Sequence, residues 1–170
     1  MIRMMQKIKE FFDQRGFTLV ELIIVIAIIS IMAAGVIAVL DPTAQFQKAN
    51  DTRRKSDLSQ IAKALESYYQ DHGAYPTSAS YKIYDANLGT INWGGSWGNY
   101  MNTVPTDPTT GRNYVYQGGG QSYYLYASLE RRSDPKLCTL GNVTAKCPNA
   151  VGSCGNGVCN YGLTSPNVTP

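Results

Sequence analysis

Arg15-Gly16-Phe17-Thr18-Leu19-Val20-Glu21 opens a 24-residue apolar stretch that ends at Leu40, and its reading decides the fold. A secretory signal peptide places its cleavage site after the apolar segment, behind small residues at alternate positions. Here a cut between Gly16 and Phe17 falls before that segment. It removes a charged leader, residues 1–16, and leaves the apolar helix as the new N-terminus. As an α-helix, residues 17–40 extend about 36 Å, enough to cross a bilayer core. Lys7, Lys9 and Arg15 precede the segment and Asp41 follows it. That asymmetry keeps the N-terminus cytoplasmic and sends the rest outward. A plain single-pass anchor satisfies these facts equally well.

Glu21 tips the balance toward the first reading, the bland alternative being that it snorkels to the interface or pairs with its own N-terminus. A carboxylate in a membrane helix costs on the order of 2–3 kcal/mol or more unless it is paired or near the surface. After cleavage, the Phe17 amine and Glu21 stand at i and i+4 on one helix face. Gly35 and Pro42 mark soft points further along. Pro42 cannot donate to the carbonyl of Ala38, and it pushes Asp41 away from helical geometry.

Residues 41–72 read as an amphipathic continuation of the helix. Leu58, Ile61, Ala62, Leu65, Tyr68 and Tyr69 form its apolar stripe, with Gly73 as the stop. Between Gln47 and Asp57 the apolar pattern fades into Lys48, Asp51, Arg53, Arg54 and Lys55. This stretch reads as an exposed bridge braced by two i,i+4 pairs, Asp51 with Lys55 and Arg53 with Asp57, or as a surface that makes ion pairs with adjacent subunits in a fibre.

Residues 73–112 form a connecting loop rich in Gly, Ser, Asn and Tyr. Trp93 and Trp97 within it are either anchors that tie the loop down or an adhesive, sugar-stacking surface. Residues 113–130 read as a β-hairpin around Gly118-Gly119-Gly120, with Tyr123, Leu125, Ala127 and Leu129 facing the long helix. The order helix, loop, hairpin predicts an α+β head with a small antiparallel sheet.

Residues 131–170 hold all four cysteines, Cys138, Cys147, Cys154 and Cys159. They lack close Cys-x-x-Cys pairs and a nearby histidine, which argues against zinc. An even count in an exported region predicts two disulfides, with three pairings open. The leader contributes +2 of the net +3, so the mature side chains sum to only +1. That balance predicts no basic field for nucleic acid or anionic lipid. Asn142-Val143-Thr144 and Asn167-Val168-Thr169 read as chance glycosylation triplets. No nucleophile–base pair, phosphate loop or metal cluster is present in the pattern, so neither an enzyme nor a cofactor is expected.

The stretch from Arg15 to Glu21 closely resembles the prepilin N-terminus of type IV pilins and type II secretion pseudopilins. Tyr68-Tyr69-Gln70-Asp71-His72-Gly73-Ala74-Tyr75-Pro76, then Pro105-Thr106-Asp107-Pro108 and the Tyr-rich hairpin, resemble the major-pseudopilin branch. The resemblance implies a pilin fold. It implies a prepilin peptidase that cuts after Gly16 and methylates the Phe17 amine, and a Glu21 that meets a neighbouring subunit's amine during assembly. It further implies helix melting between a glycine and a proline, here Gly35 and Pro42, although Pro42 lies four residues beyond its familiar place. Major pseudopilins bind calcium through acidic residues in a C-terminal loop. After Glu130 this tail offers only Asp134, so calcium is not carried over.

The function this implies is a structural subunit of a type IV pilus-like helical filament. A type II secretion pseudopilin in a periplasmic pseudopilus is the alternative, and a membrane-anchored glycan-binding module is a more distant one. The implied partners are further copies of the chain, a prepilin peptidase, the membrane, and an inner-membrane assembly machine with a cytoplasmic ATPase.

Overall fold

The computed structural model describes residues 16–170; the rest of the leader lies outside that range. The chain divides into an N-terminal unit ending at Pro42 and a head, Thr43–Pro170. The first unit is a single helix, α1 (Leu19–Leu40). Thr18 caps it, and Glu21 at the third helical position completes a reciprocal capping box. Isoleucine, leucine and valine crowd every face, and no part of Leu19–Val36 is buried within the chain. By length and composition this helix can cross a membrane.

α1 stops at Asp41, whose φ of 36° is left-handed. A residue before proline is disfavoured in helical geometry, and aspartate tolerates the left-handed region better than most. Pro42 then starts α2 (Pro42–His72), where its missing N–H and fixed φ suit the first helical position. One non-helical residue, Asp41, thus stands between α1 and α2. Gly35 stays helical inside α1. At the far end Gly73 takes φ +71° and donates to the Tyr69 carbonyl at 2.8 Å, closing α2.

Two three-stranded antiparallel sheets complete the head. β1 (Thr77–Ala79), β2 (Lys82–Asp85) and β3 (Gly89–Thr90) form one; β4 (Val115–Gly119), β5 (Ser122–Ala127) and β6 (Tyr161–Thr164) form the other. Residues 73–112, expected as an irregular connection, thus carry the first sheet. Its strands have two to four residues, too short for an alternating pattern to stand out. The Tyr116 N–H donates to the Tyr81 carbonyl at 2.8 Å and ties the sheets together.

Leu58, Ile61, Leu65 and Tyr68 of α2 pack on Tyr114, Tyr116, Tyr123, Leu125, Ala127 and Leu129 in one core. Burying each large aliphatic chain there contributes about 1.5–3 kcal/mol. The opposite face of β4 and β5 is covered too. Val115 and Tyr126, directly paired across the strands, lie under Cys147, Ala150, Cys154 and Cys159.

The disulfides join Cys138 to Cys147 and Cys154 to Cys159, each to its neighbour in sequence. The backbone then enters β6, which pairs Leu163 with Leu125 and Gly162 with Tyr126. The cysteine-rich tail therefore supplies both the lid on the second sheet face and that sheet's third strand. Opening the five-residue separation of Cys154 and Cys159 with a double serine variant should lower stability by about 2 kcal/mol. Urea denaturation of the detergent-solubilised chain measures this.

Candidate assembly site and buried ionic clamp

Three residues singled out in the sequence lie just before or in the first turn of α1. Gly16 and Phe17 lie outside the helix and are exposed, and Phe17 keeps 81% of its surface in contact with solvent. Glu21 turns back toward Thr18. Its Oε2 accepts from the Thr18 N–H at 2.9 Å and from the Thr18 hydroxyl at 2.7 Å. The Thr18 Oγ1 in turn accepts from the Glu21 N–H at 3.2 Å. The capping box thus fixes the carboxylate at the helix N-terminus, where the helix dipole favours negative charge. One acidic group beside a small linker and an apolar rod is the whole of this site.

The second constellation lies in the head. Arg54 is wholly buried, and its guanidinium forks onto Asp107 with Nε at 2.8 Å and Nη2 at 2.9 Å. Nη1 reaches Asp51 at 3.0 Å, and Nη2 also reaches Glu130 at 3.0 Å and the Thr109 hydroxyl at 2.8 Å. Asp51 accepts in addition from the backbone N–H groups of Glu130 and Arg131 at 2.9 and 3.0 Å. Arg112 closes the cluster on Glu130 at 3.1 Å. Burial opposes the Arg54 charge, but Asp107 and Glu130 outweigh it and raise the pKa above the ordinary arginine value.

This corrects the expected exposed bridge. Asp51 pairs with Arg54, and Lys55 with Asp134. Only Arg53 and Asp57 meet as expected, loosely, at 3.9 Å. Asp57 also accepts from the buried Tyr114 hydroxyl at 2.7 Å. The pattern did carry a signal for this. Continued upward from Leu65, Ile61 and Leu58, the helical stripe lands on Arg54 and Asp51, so both belong to the inward face.

Trp97 is fully buried and donates from Nε1 to Asp85 at 3.1 Å, which removes it as a sugar-stacking platform. Trp93 is half-buried, edge-on to Tyr114 at 5.9 Å. Burial pushes the Asp85 carboxyl up, but the Asn87 N–H, the Trp97 indole and the Leu88 N–H together hold it below the usual range. Asp134 is likewise held low against its burial by Lys55 and the Lys136 N–H. With those partners Asp134 does not fit a calcium ligand. Among the described residues, no three His, Cys, Asp or Glu side chains stand close enough to share a metal ion.

Comparison with known proteins assigns the chain. Residues 12–37 match the prokaryotic N-terminal methylation motif, and residues 42–130 match type II secretion system protein G. The chain belongs to the protein G family. It is 34% identical over 113 residues to the type II secretion system core protein G of Pseudomonas aeruginosa, covering 64% of this chain and 76% of that one. The Escherichia coli core protein G is 29% identical over 134 residues, 77% of this chain and 90% of its own. The type IV wide pilus major component PilA4 of Thermus thermophilus is 44% identical over 66 residues, 39% of this chain and 49% of its own. No solved structure gives a significant match. The protein G match ends at residue 130, at the clamp, so the disulfide-bonded tail lies beyond it.

Two predictions follow from the head's electrostatics. Arg54→Met leaves Asp51, Asp107 and Glu130 without their shared cation and should cost about 3–5 kcal/mol in urea denaturation. Arg54→Lys should recover only part of this, since one ammonium cannot reproduce the fork. The depressed Asp85 and Asp134 add stability that is fully present above the unfolded value of 3.8 and is lost as pH falls through their lower folded values. Urea midpoints should therefore fall below about pH 4, and less steeply in Asp85→Asn.

Proposed function

We propose that the chain is a structural subunit of a pilin-like helical filament, cut after Gly16 and methylated on the Phe17 amine. The observation that carries this is the apolar stretch Leu19–Val36, of which no part is buried within the chain, with one capped carboxylate at its start and a head that has a core of its own. Residues 17–40 hold the subunit in the inner membrane, with the N-terminus cytoplasmic and the head outside. On assembly, lipid around α1 is exchanged for the α1 helices of other copies. Glu21 offers its charge to the amine of a neighbour and so sets the register. Head-to-tail contacts that do not close generate a helix. Gly35 and Pro42 are the points at which the rod yields as the subunits pack. A prepilin peptidase and an inner-membrane assembly machine are the implied partners, and the role is structural rather than catalytic.

The family match over residues 42–130 favours a type II secretion pseudopilus over a surface pilus. The similarity to the Thermus pilus component supports the second reading, an extracellular pilus. Non-reduced intact mass of the chain from sheared extracellular and membrane fractions tests both. A chain starting at methylated Phe17, carrying two disulfides and retained in the envelope, supports the pseudopilus. The same species in the sheared fraction supports the pilus, and an uncut chain in both fractions overturns the filament reading. Glutamine preserves the capping box, so Glu21→Gln keeps the helix start and removes only the charge. Filament yield should then fall on the order of ten-fold with the head's stability unchanged. Normal yield would remove Glu21 from assembly.

A further inference from the structure

The two Asn-x-Thr triplets, Asn142-Val143-Thr144 and Asn167-Val168-Thr169, are equivalent in sequence. Structure separates them. Both asparagines are exposed, so access does not decide between them. What differs is the state of the side-chain amide, the group to which a glycan attaches.

At Asn142 the carboxamide oxygen is engaged and the nitrogen is free. Oδ1 accepts from the Thr144 N–H at 3.0 Å and from the Thr144 hydroxyl at 2.7 Å. Among the described residues, none accepts from Nδ2. Two donors on the oxygen fix the amide plane and polarise it toward oxygen, which makes the remaining N–H bonds more acidic. The loop presents this arrangement at the surface. Val143 packs against the core, and its carbonyl accepts from Asn160 Nδ2 at 2.7 Å. Asn142 and Thr144 on either side of it are exposed, within the loop that the Cys138–Cys147 disulfide closes.

At Asn167 the nitrogen is spent on the fold. Nδ2 donates to the Gln121 carbonyl at 3.0 Å, and Oδ1 accepts from the Ser165 hydroxyl at 2.6 Å. The Val168 carbonyl accepts from the Thr164 hydroxyl, and the Thr169 carbonyl from Asn149 Nδ2. Among the described residues, no hydrogen bond joins Thr169 to Asn167.

We propose that Asn142 is the acceptor for an N-linked glycan, transferred from a polyprenyl-pyrophosphate-linked oligosaccharide, and that Asn167 is not. In the transfer, Asn142 Nδ2 bonds to the anomeric carbon of the sugar as the bond from that carbon to the phosphate oxygen breaks. That oxygen keeps the electron pair and leaves as polyprenyl pyrophosphate. A basic group of the transferase takes the amide proton. The Thr144 hydroxyl is a positioning group, because it holds Oδ1 and leaves the nitrogen open. The proposal rests on the reading of the head as exported, since this acceptor triplet is used on surface loops of secreted chains.

Glycopeptide mass spectrometry of the full chain, extracted from the envelope of the cells that make it, tests this. Fragment ions should place an oligosaccharide on Asn142 and leave Asn167 bare. Asn142→Gln and Thr144→Val should lose the sugar, while Thr144→Ser, which keeps the hydroxyl, should retain it. All three variants should still form the Cys138–Cys147 disulfide, so loss of sugar is read on a folded loop. A bare Asn142 in a head that added protease reaches in spheroplasts overturns the glycan alone. A bare Asn142 in a head shielded from that protease overturns the export reading with it. Equal sugar on Asn167 overturns the proposal too, because the folded amides then make no choice between the triplets. Sugar that persists in Thr144→Val removes Thr144 from the site.

Discussion

The Arg54 guanidinium sits inside the head without solvent, so its charge has to be balanced by groups brought to it from elsewhere in the chain. It draws Asp51 from its own helix, Asp107 and Thr109 from the loop before β4, and Glu130 from the segment after β5. Three segments far apart in sequence meet at one planar cation. Geometry matters more than net attraction here, because a buried pair gains little over apolar packing, whereas a pair stripped of one member is strongly destabilising. The clamp consequently acts as a registry device. It fixes where the strap after β5 crosses α2, and hence where the tail begins.

The same clamp sorts charge between inside and outside. Most of the head's carboxylates are used internally, on arginine, lysine, indole, phenol or backbone N–H donors. The cations left over face water. Surface character is thus a by-product of core architecture.

The tail solves a different problem. A sheet with tyrosine and valine on its far face needs a cover, and residues 131–160 provide one before returning as β6. They have little regular structure of their own, so the cover is held by two short disulfide loops and by Asn160. The Asn160 side chain accepts from the Leu129 N–H at 2.7 Å and donates to the Leu129 and Val143 carbonyls. The cross-links limit the freedom of a segment that lacks enough apolar surface to fold tightly by itself.

The α+β class, the apolar helix, the inward face of β5 and the oxidised cysteines were all legible in the residues, because periodicity and composition are local properties. The membrane-length helix and the acid at its start needed no partner to be recognised. The first sheet was not legible, since its strands are too short to show a period. Nor was the buried status of Asp51 and Arg54, because polar residues on a helix look solvated until distant carboxylates and amides are placed against them. Sequence by itself determined the membrane-length apolar helix, its N-terminal methylation motif and the helix-on-sheet head. Tertiary structure alone decided the disulfide pairing, the clamp and the cationic surface, since each depends on which distant groups come within hydrogen-bonding or bonding reach.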